Sequence, residues 1–310
     1  MNRIEYLFKV FTKVEPLLRS QEPFQRPTNV YIPGLAAQPW YEPQNFAWVQ
    51  QLEEKYQLIQ QELLDSCLAD KNRFIPYQEP KDFFPDSIGN YDGDDWQTFP
   101  FSLYGKKFQE NCDLCPVTTK ILQSIPRITG MVHFSALTKR SHIPPHCGPF
   151  NFILRCQLPL IVPANCELCV AHKSRKLVEG KLLIFDDSFV HEAWNNSDFT
   201  RIILLFDLYH PDLTDAEIRE FEFIITHDPY IQEVLRNWIS NFEKQKYLSS
   251  IMNLFKSRTK KLHPYKTGNM ILHSGLHYHQ VAPIKAQPKE ARITLQGHGI
   301  FGEGSWQLYW

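Results

Sequence analysis

The stretch FDDSFVHEAW, residues 185 to 194, ends a short apolar run in two aspartates and then sets His191 beside Glu192 and close to Trp194. A polar turn carrying a satisfied surface histidine is the plain account of such a stretch. Its neighbours ask for more. Ser135 in HFSAL, His146 in SHIPPHCGP, Arg155 in FILRC and Arg201 in TRIILLF share the same part of the chain. Two histidines on different strands can converge on one metal ion, and imidazole suits zinc, copper, iron or nickel, so the histidines alone do not name the metal. Arg201 narrows the chemistry. It stands early in an apolar strand, where a buried guanidinium needs an anionic partner, and its fork matches a carboxylate in bidentate geometry. A metal pair beside such an arginine suits a small keto-diacid that chelates iron at one end and pairs with arginine at the other.

The elements that must position these groups are legible in the surrounding pattern. From about 128 to 210, short runs such as GMVHFSAL, FNFILRCQLPLIV, GKLLIF and TRIILLFDLY alternate with Pro, Gly, Asn and Asp, which predicts an antiparallel sandwich or barrel. Before it, residues 3 to 19 carry Ile4, Leu7, Phe8, Phe11, Val14 and Leu18 at helical spacing, and residues 45 to 69 repeat that period. The first of these helices is expected to dock on the domain, with a membrane-surface helix as the alternative. Residues 70 to 110 read as irregular. Helix returns at LTDAEIREF, where Thr214 and Glu217 form a capping box, and runs through Asp228-Pro229 to about residue 258. Residues 262 to 310 hold five of the twelve histidines and predict two or three further strands.

Composition sets the outer limits. The 310 residues suffice for one large domain or two small ones, and 33 Lys and Arg against 34 Asp and Glu leave no general field to steer the protein to nucleic acid. No apolar run is long enough to span a bilayer, and the N-terminus lacks a signal-peptide pattern. Seven cysteines, an odd number, point to reduced thiols and a cytoplasmic location, and the Asn195-Asn196-Ser197 sequon carries no meaning there.

Five stretches in order, YIPGLAAQPWYEP (31–43), CPVTTKILQSIP (115–126), PHCGPFNFILR (145–155), EGKLLIFDDSFVHEAWNNS (179–197) and HPDLT (210–214), resemble the aspartyl/asparaginyl β-hydroxylase family over roughly residues 28 to 218. The resemblance implies a mainly β fold with flanking helices, built on a double-stranded β-helix core of the jelly-roll or cupin-like kind. It implies Fe(II) and 2-oxoglutarate as cofactor and cosubstrate, with O2 as oxidant. By the same resemblance His146 and His191 are the iron ligands and no carboxylate ligand is present, in keeping with Gly148 two residues after the first histidine. Asp187 then supports the metal from outside its ligand set, Ser135 and Arg201 hold the distal carboxylate of 2-oxoglutarate, Arg155 lies near cosubstrate and substrate, and His142 touches substrate. The organisation that follows is an N-terminal amphipathic helix (1–27), the hydroxylase-like domain (28–218), a helical segment (219–261) and a histidine-rich β extension (262–310).

Two departures bear on substrate. Ile153 stands where family members carry an arginine facing the substrate's acidic side chain, and Gln157 replaces a histidine near the cosubstrate. The expected function is hydroxylation of a β-carbon of an aspartyl or asparaginyl residue in a peptide or protein. The alternatives are a lipid acyl chain or small amino-acid derivative as substrate, and a non-catalytic binding protein that keeps the barrel. Two further signals compete. NCDLC (111–115) and NCELC (165–169) are paired C-x-x-C motifs that can hold a structural zinc, against the reading of Cys112, Cys115, Cys166 and Cys169 as reduced thiols, since Cys166 and Cys169 point to opposite faces of a regular strand. His277 and His279, with Arg292, faintly repeat a metal-histidine and arginine arrangement, against packing of the tail on the barrel.

Overall fold

The structure is a computed structural model that describes Arg3, Glu5, Tyr6 and residues 18–68, 73–77, 95–256, 298–302 and 305–309. Its strands are β1 (Trp40–Tyr41), β2 (Ile75–Pro76), β3 (Trp96–Leu103), β4 (Lys106–Lys107), β5 (Ile128–Leu137), β6 (Ser141–His146), β7 (Ile153–Ile161), β8 (Cys166–Val170), β9 (Lys173–Lys176), β10 (Leu183–Phe185), β11 (His191–Asn195) and β12 (Arg201–Tyr209). They form two antiparallel sheets. The larger runs β1-β10-β7-β12-β5-β3-β2, with β4 paired to β3, and the smaller runs β6-β11-β8-β9. Chain neighbours β5 and β6, or β10 and β11, fall in opposite sheets, so the chain alternates between the two. That is the double-stranded β-helix expected above.

The central strand β12 shows how the sequence makes this layer. Its nine residues are all buried, yet the side-chain period of two divides them. Ile202, Leu204, Phe206 and Leu208 join a core beneath the helices, whereas Ile203, Leu205 and Tyr209 join the core between the sheets. Its neighbours split the same way: Val132, Phe134 and Ala136 of β5 and Leu154, Cys156 and Leu158 of β7 face the helices. The odd-numbered positions of all three strands therefore line the interior. They carry His133, Ser135, Arg155, Gln157, Arg201 and Asp207, each buried or nearly so. A continuous apolar run with a few polar residues at one parity is what a strand covered on both faces requires.

Val49–Glu54, Tyr56–Glu62, Gln109–Leu114 and Pro116–Gln123 are the helices of the outer layer, with a π turn at Leu63–Cys67. Val49, Leu52, Ile59, Leu63, Ile121 and Leu122 are their buried stripe, each contributing about 1.5–3 kcal/mol of apolar burial. On the smaller sheet, Ile143, Leu168, Val170 and Ala193 face the other core. Asn195 pins that sheet to the larger one, donating from Nδ2 to the carbonyls of Leu137 and Thr138 at 2.9 and 2.8 Å.

Three expectations are corrected. Residues 96 to 107 are strands rather than irregular chain, because Pro100 sits at a register shift against β5, a position where a strand tolerates proline. The C-terminal helix is two helices, Asp215–His227 and Pro229–Lys256, because Asp228, preceding a proline, is extended at φ −69°, ψ 121°. The helix over 45 to 69 breaks at Lys55. The capping box holds: the Glu217 N–H donates to Thr214 Oγ1 at 3.2 Å and the Thr214 N–H to Glu217 Oε2 at 2.8 Å.

Arg3, Glu5 and Tyr6 are helical, and the rest of the N-terminal helix expected over 3 to 19 falls largely outside the described residues. The chain divides into units Met1–Asn253 and Leu254–Trp310. In the second, β13 (His298–Gly302) and β14 (Ser305–Tyr309) form an antiparallel hairpin. His277, His279 and Arg292 lie outside the described residues. Among the described residues, no helix is long and apolar enough to cross a membrane.

Candidate active site

His146 and His191 are directly paired across β6 and β11, with ring centroids 4.0 Å apart. Each ring is held by its own chain: His146 Nδ1 lies 2.9 Å from the Pro144 carbonyl and His191 Nδ1 2.9 Å from that of Phe189. A carbonyl can only accept, so each Nδ1 carries the proton, and each Nε2 keeps the lone pair a metal needs. Burial pushes the His146 pKa down to about 4 and that of His191 well below its usual range. Both imidazoles are neutral at physiological pH, the form that ligates.

A bulge makes this pairing possible. His191 pairs with His146 but Ala193 with Ile143, so β6 spends one extra residue between them. Regular alternation would put His142 on the side of His146; the extra residue turns it outward instead. His142 stacks on Trp194 at 5.1 Å, and its Nε2 lies 3.0 Å from Glu192 Oε2 on the solvent side. The structure does not bring His142 to the histidine pair.

The Asp187 carboxylate fills the space beside Gly148. A Cβ built on Gly148 would lie 2.3 Å from the Asp187 carboxyl carbon, and the Gly148 N–H donates to the Asp187 carbonyl at 2.6 Å. Any side chain at 148 would collide with that carboxylate. Arg155 Nη2 holds Asp187 Oδ2 at 3.1 Å and Arg155 Nε holds Asp207 Oδ1 at 3.1 Å. Burial alone would lower the Arg155 pKa, but the two carboxylates hold it well above its usual value.

Arg201 is the opposite case. Its side chain is among the largest fully buried ones, and Nε and Nη1 have no hydrogen-bond partner. Burial lowers its pKa to about 10, which leaves it a cation at neutral pH. Such a group is costly unless something anionic meets it. Ser135 stands on the same face, one pair along the ladder, since Arg201 pairs with Leu137 and Ile203 with Ser135. The Trp96 indole donates to Ser135 Oγ at 2.9 Å, which leaves the hydroxyl proton free to point at an acceptor. A carboxylate would satisfy both residues. Gln157 Oε1 is a second buried orphan on this interior face.

The sequence pattern did not single out Asp207, His133, Trp96 or Tyr77. Asp207 had a signal, a lone acid within IILLFDLY, which a buried strand retains only with a cation on the adjacent strand. Tyr77 stacks between Trp96 and His133 at 4.0 and 5.7 Å, and Thr98 Oγ1 meets His133 Nδ1 at 2.5 Å. Only the fold assembles that wall.

The zinc alternative fails. Cys112 Sγ donates to the Phe101 carbonyl, Cys115 Sγ lies 3.5 Å from Cys67 Sγ, and Cys166 Sγ donates to Asn195 Oδ1. The two motifs belong to different cores. Among the described residues no group of three or more His, Cys, Asp or Glu is arranged to hold a metal.

Residues 53–211 match the family described as aspartyl/asparaginyl beta-hydroxylase. The protein named aspartyl/asparaginyl beta-hydroxylase of Homo sapiens is 32% identical over 201 residues, covering 62% of this chain and 25% of that protein. The ornithine lipid ester-linked acyl 2-hydroxylase of Rhizobium tropici is 31% identical over 237 residues, covering 75% of this chain and 82% of that protein. Aspartate beta-hydroxylase domain-containing protein 2 of Mus musculus is 31% identical over 217 residues, covering 67% and 61%. The chain thus spans about a quarter of the length of the human protein.

Proposed function

Because the chain belongs to the aspartyl/asparaginyl beta-hydroxylase family, we propose that it is an Fe(II)- and 2-oxoglutarate-dependent dioxygenase that hydroxylates an unactivated aliphatic carbon. One observation carries the reading: two neutral imidazoles are paired across one sheet, each with Nδ1 on a carbonyl, and the other sheet holds a buried arginine whose Nε and Nη1 have no partner. The residues fit the groups the family implies. His146 and His191 would hold iron, Asp187 would support a water among its ligands, and Arg201 with Ser135 would hold the distal carboxylate of 2-oxoglutarate. Bound there, iron and 2-oxoglutarate supply the activation of O2, with succinate and CO2 as products. The protein fixes the imidazole tautomers, neutralises the cosubstrate's far charge and keeps the reacting carbon away from bulk water.

The names of the relatives offer two substrate classes. The β-carbon of an aspartyl or asparaginyl residue in a peptide or protein is the reading more of them support. A lipid acyl chain is the second, favoured by Ile153 standing where an acid-binding arginine is expected. We also propose a cytoplasmic location, supported by seven cysteines that are all free thiols. The test is succinate formation from 2-oxoglutarate by purified protein with Fe(II) and O2, beside His146→Ala. Succinate from the first and none from the second is the expected result. Equal rates from both would overturn the metal assignment.

A further inference from the structure

His146 and His191 are neutral, so a cation bound at their Nε2 atoms meets no opposing charge from the pair itself. Burial lowers the pKa of both rings and the Arg155 guanidinium lowers it further, so the field of Arg155 reaches both. A lone guanidinium there would repel a divalent metal ion for the same reason that it repels a proton.

Two carboxylates reverse the sign. Arg155 Nη2 lies 3.1 Å from Asp187 Oδ2 and its Nε 3.1 Å from Asp207 Oδ1, with all three side chains buried or nearly so, where water screens charge poorly. Asp187 alone would leave the group neutral, and Asp207 makes it net negative. Tyr104 registers that balance: burial raises its pKa, and Asp207 and Asp187 raise it further than Arg155 lowers it.

The chain makes room for this second acid. Asp207 pairs directly with Arg155 across β12 and β7, just past a register shift in its pairing with β5. On the β5 side, Gly130 has φ 62°, and a Cβ there would overlap the Asp207 carboxylate. The Met131 N–H donates to Asp207 Oδ2 at 3.4 Å. A second buried acid is more than Arg155 needs for neutrality, and a surplus buried charge is costly unless a cation meets it.

Resting on the oxygenase reading above, we infer that Asp207 supplies the negative charge that the two neutral imidazoles lack, and so favours a divalent metal ion at His146 and His191 without touching it. The charges then close. Arg155 and Arg201 balance Asp187 and Asp207, and Fe(II) balances the 2-oxoglutarate dianion.

The test is Asp207→Asn in the full chain, which removes the charge and keeps the size and an acceptor for Arg155 Nε. Fe(II) affinity is measured by anaerobic titration, 2-oxoglutarate affinity by anaerobic titration at saturating Fe(II), and folding by thermal melt. Fe(II) binding should weaken about tenfold, whereas 2-oxoglutarate binding should hold or tighten, because a dianion gains when a negative charge leaves. A site merely distorted by the substitution would lose both ligands. Asp207→Ser carries the same test if the amide variant does not melt cooperatively. Unchanged Fe(II) affinity, or loss of both affinities together, would overturn the role of Asp207 and leave the oxygenase standing. A wild-type protein that binds no Fe(II) would remove the oxygenase reading, and the inference with it.

Discussion

The two sheets meet the demands of their polar side chains in different ways. In the smaller sheet, His146 and His191 are satisfied locally, each by the carbonyl two residues earlier in its own chain. In the larger sheet, Arg155 is satisfied at long range by Asp187 and Asp207, and Arg201 is left partly unsatisfied. Local satisfaction fixes a tautomer through the residue's own stretch of chain. Long-range satisfaction depends on the whole barrel, and it leaves Nε and Nη1 of Arg201 without a partner.

The largest effect is expected from breaking the local half. His191→Ala should remove succinate formation to background and weaken Fe(II) binding, read by anaerobic titration. The unpaired half should respond in two directions. Arg201→Met should weaken 2-oxoglutarate binding roughly a hundred- to a thousandfold, as loss of one partner of a buried ion pair does. The same variant without ligand should melt at a higher temperature than the wild type, since a buried charge with unmet hydrogen bonds has gone. A lower melting temperature would mean that Arg201 is satisfied in the free protein.

The junction of the two halves is Asp187, which belongs to the β10–β11 connection, fills the space over Gly148 and pairs with Arg155. Asp187→Asn should lower Fe(II) affinity or turnover about 10- to 100-fold, with Gly148→Ala moving in the same direction because its methyl group meets the carboxylate. Full activity in both variants would detach Asp187 from the metal.

The smallest effect concerns its neighbour. Burial raises the pKa of Asp186 to about 8, against the hydrogen bonds from Ser188 and Gln25 that lower it. The folded protein then keeps a proton that the unfolded chain releases near pH 4. Stability should therefore fall as pH rises from about 4 to about 8 and level off above. Asp186→Asn should flatten that slope in thermal melts between pH 5 and 9. An identical slope in the variant would assign it to other groups.

Much of this was legible in the chain. The runs around Ser135, Arg155, His191 and Arg201 predicted the short strands of an antiparallel sandwich or barrel, because short apolar runs between turn residues are a local property. The capping box at Thr214 was equally local. His142 was not legible: its side depends on one extra residue in β6, which only the pairing with β11 reveals. Nor was β3, where Pro100 reads as a breaker until its register shift against β5 is known.

The sequence by itself determined which groups can do chemistry here: two imidazoles, two strand-borne arginines and a serine, on strands with a readable inner face. The tertiary structure decided which of them are spoken for. Arg155 and Arg201 look alike in the chain, each a lone guanidinium in an apolar strand, but one is clamped by acids 32 and 52 residues away and the other is not. Pairing of buried charges is a matter of distance in space, and sequence separation does not report it.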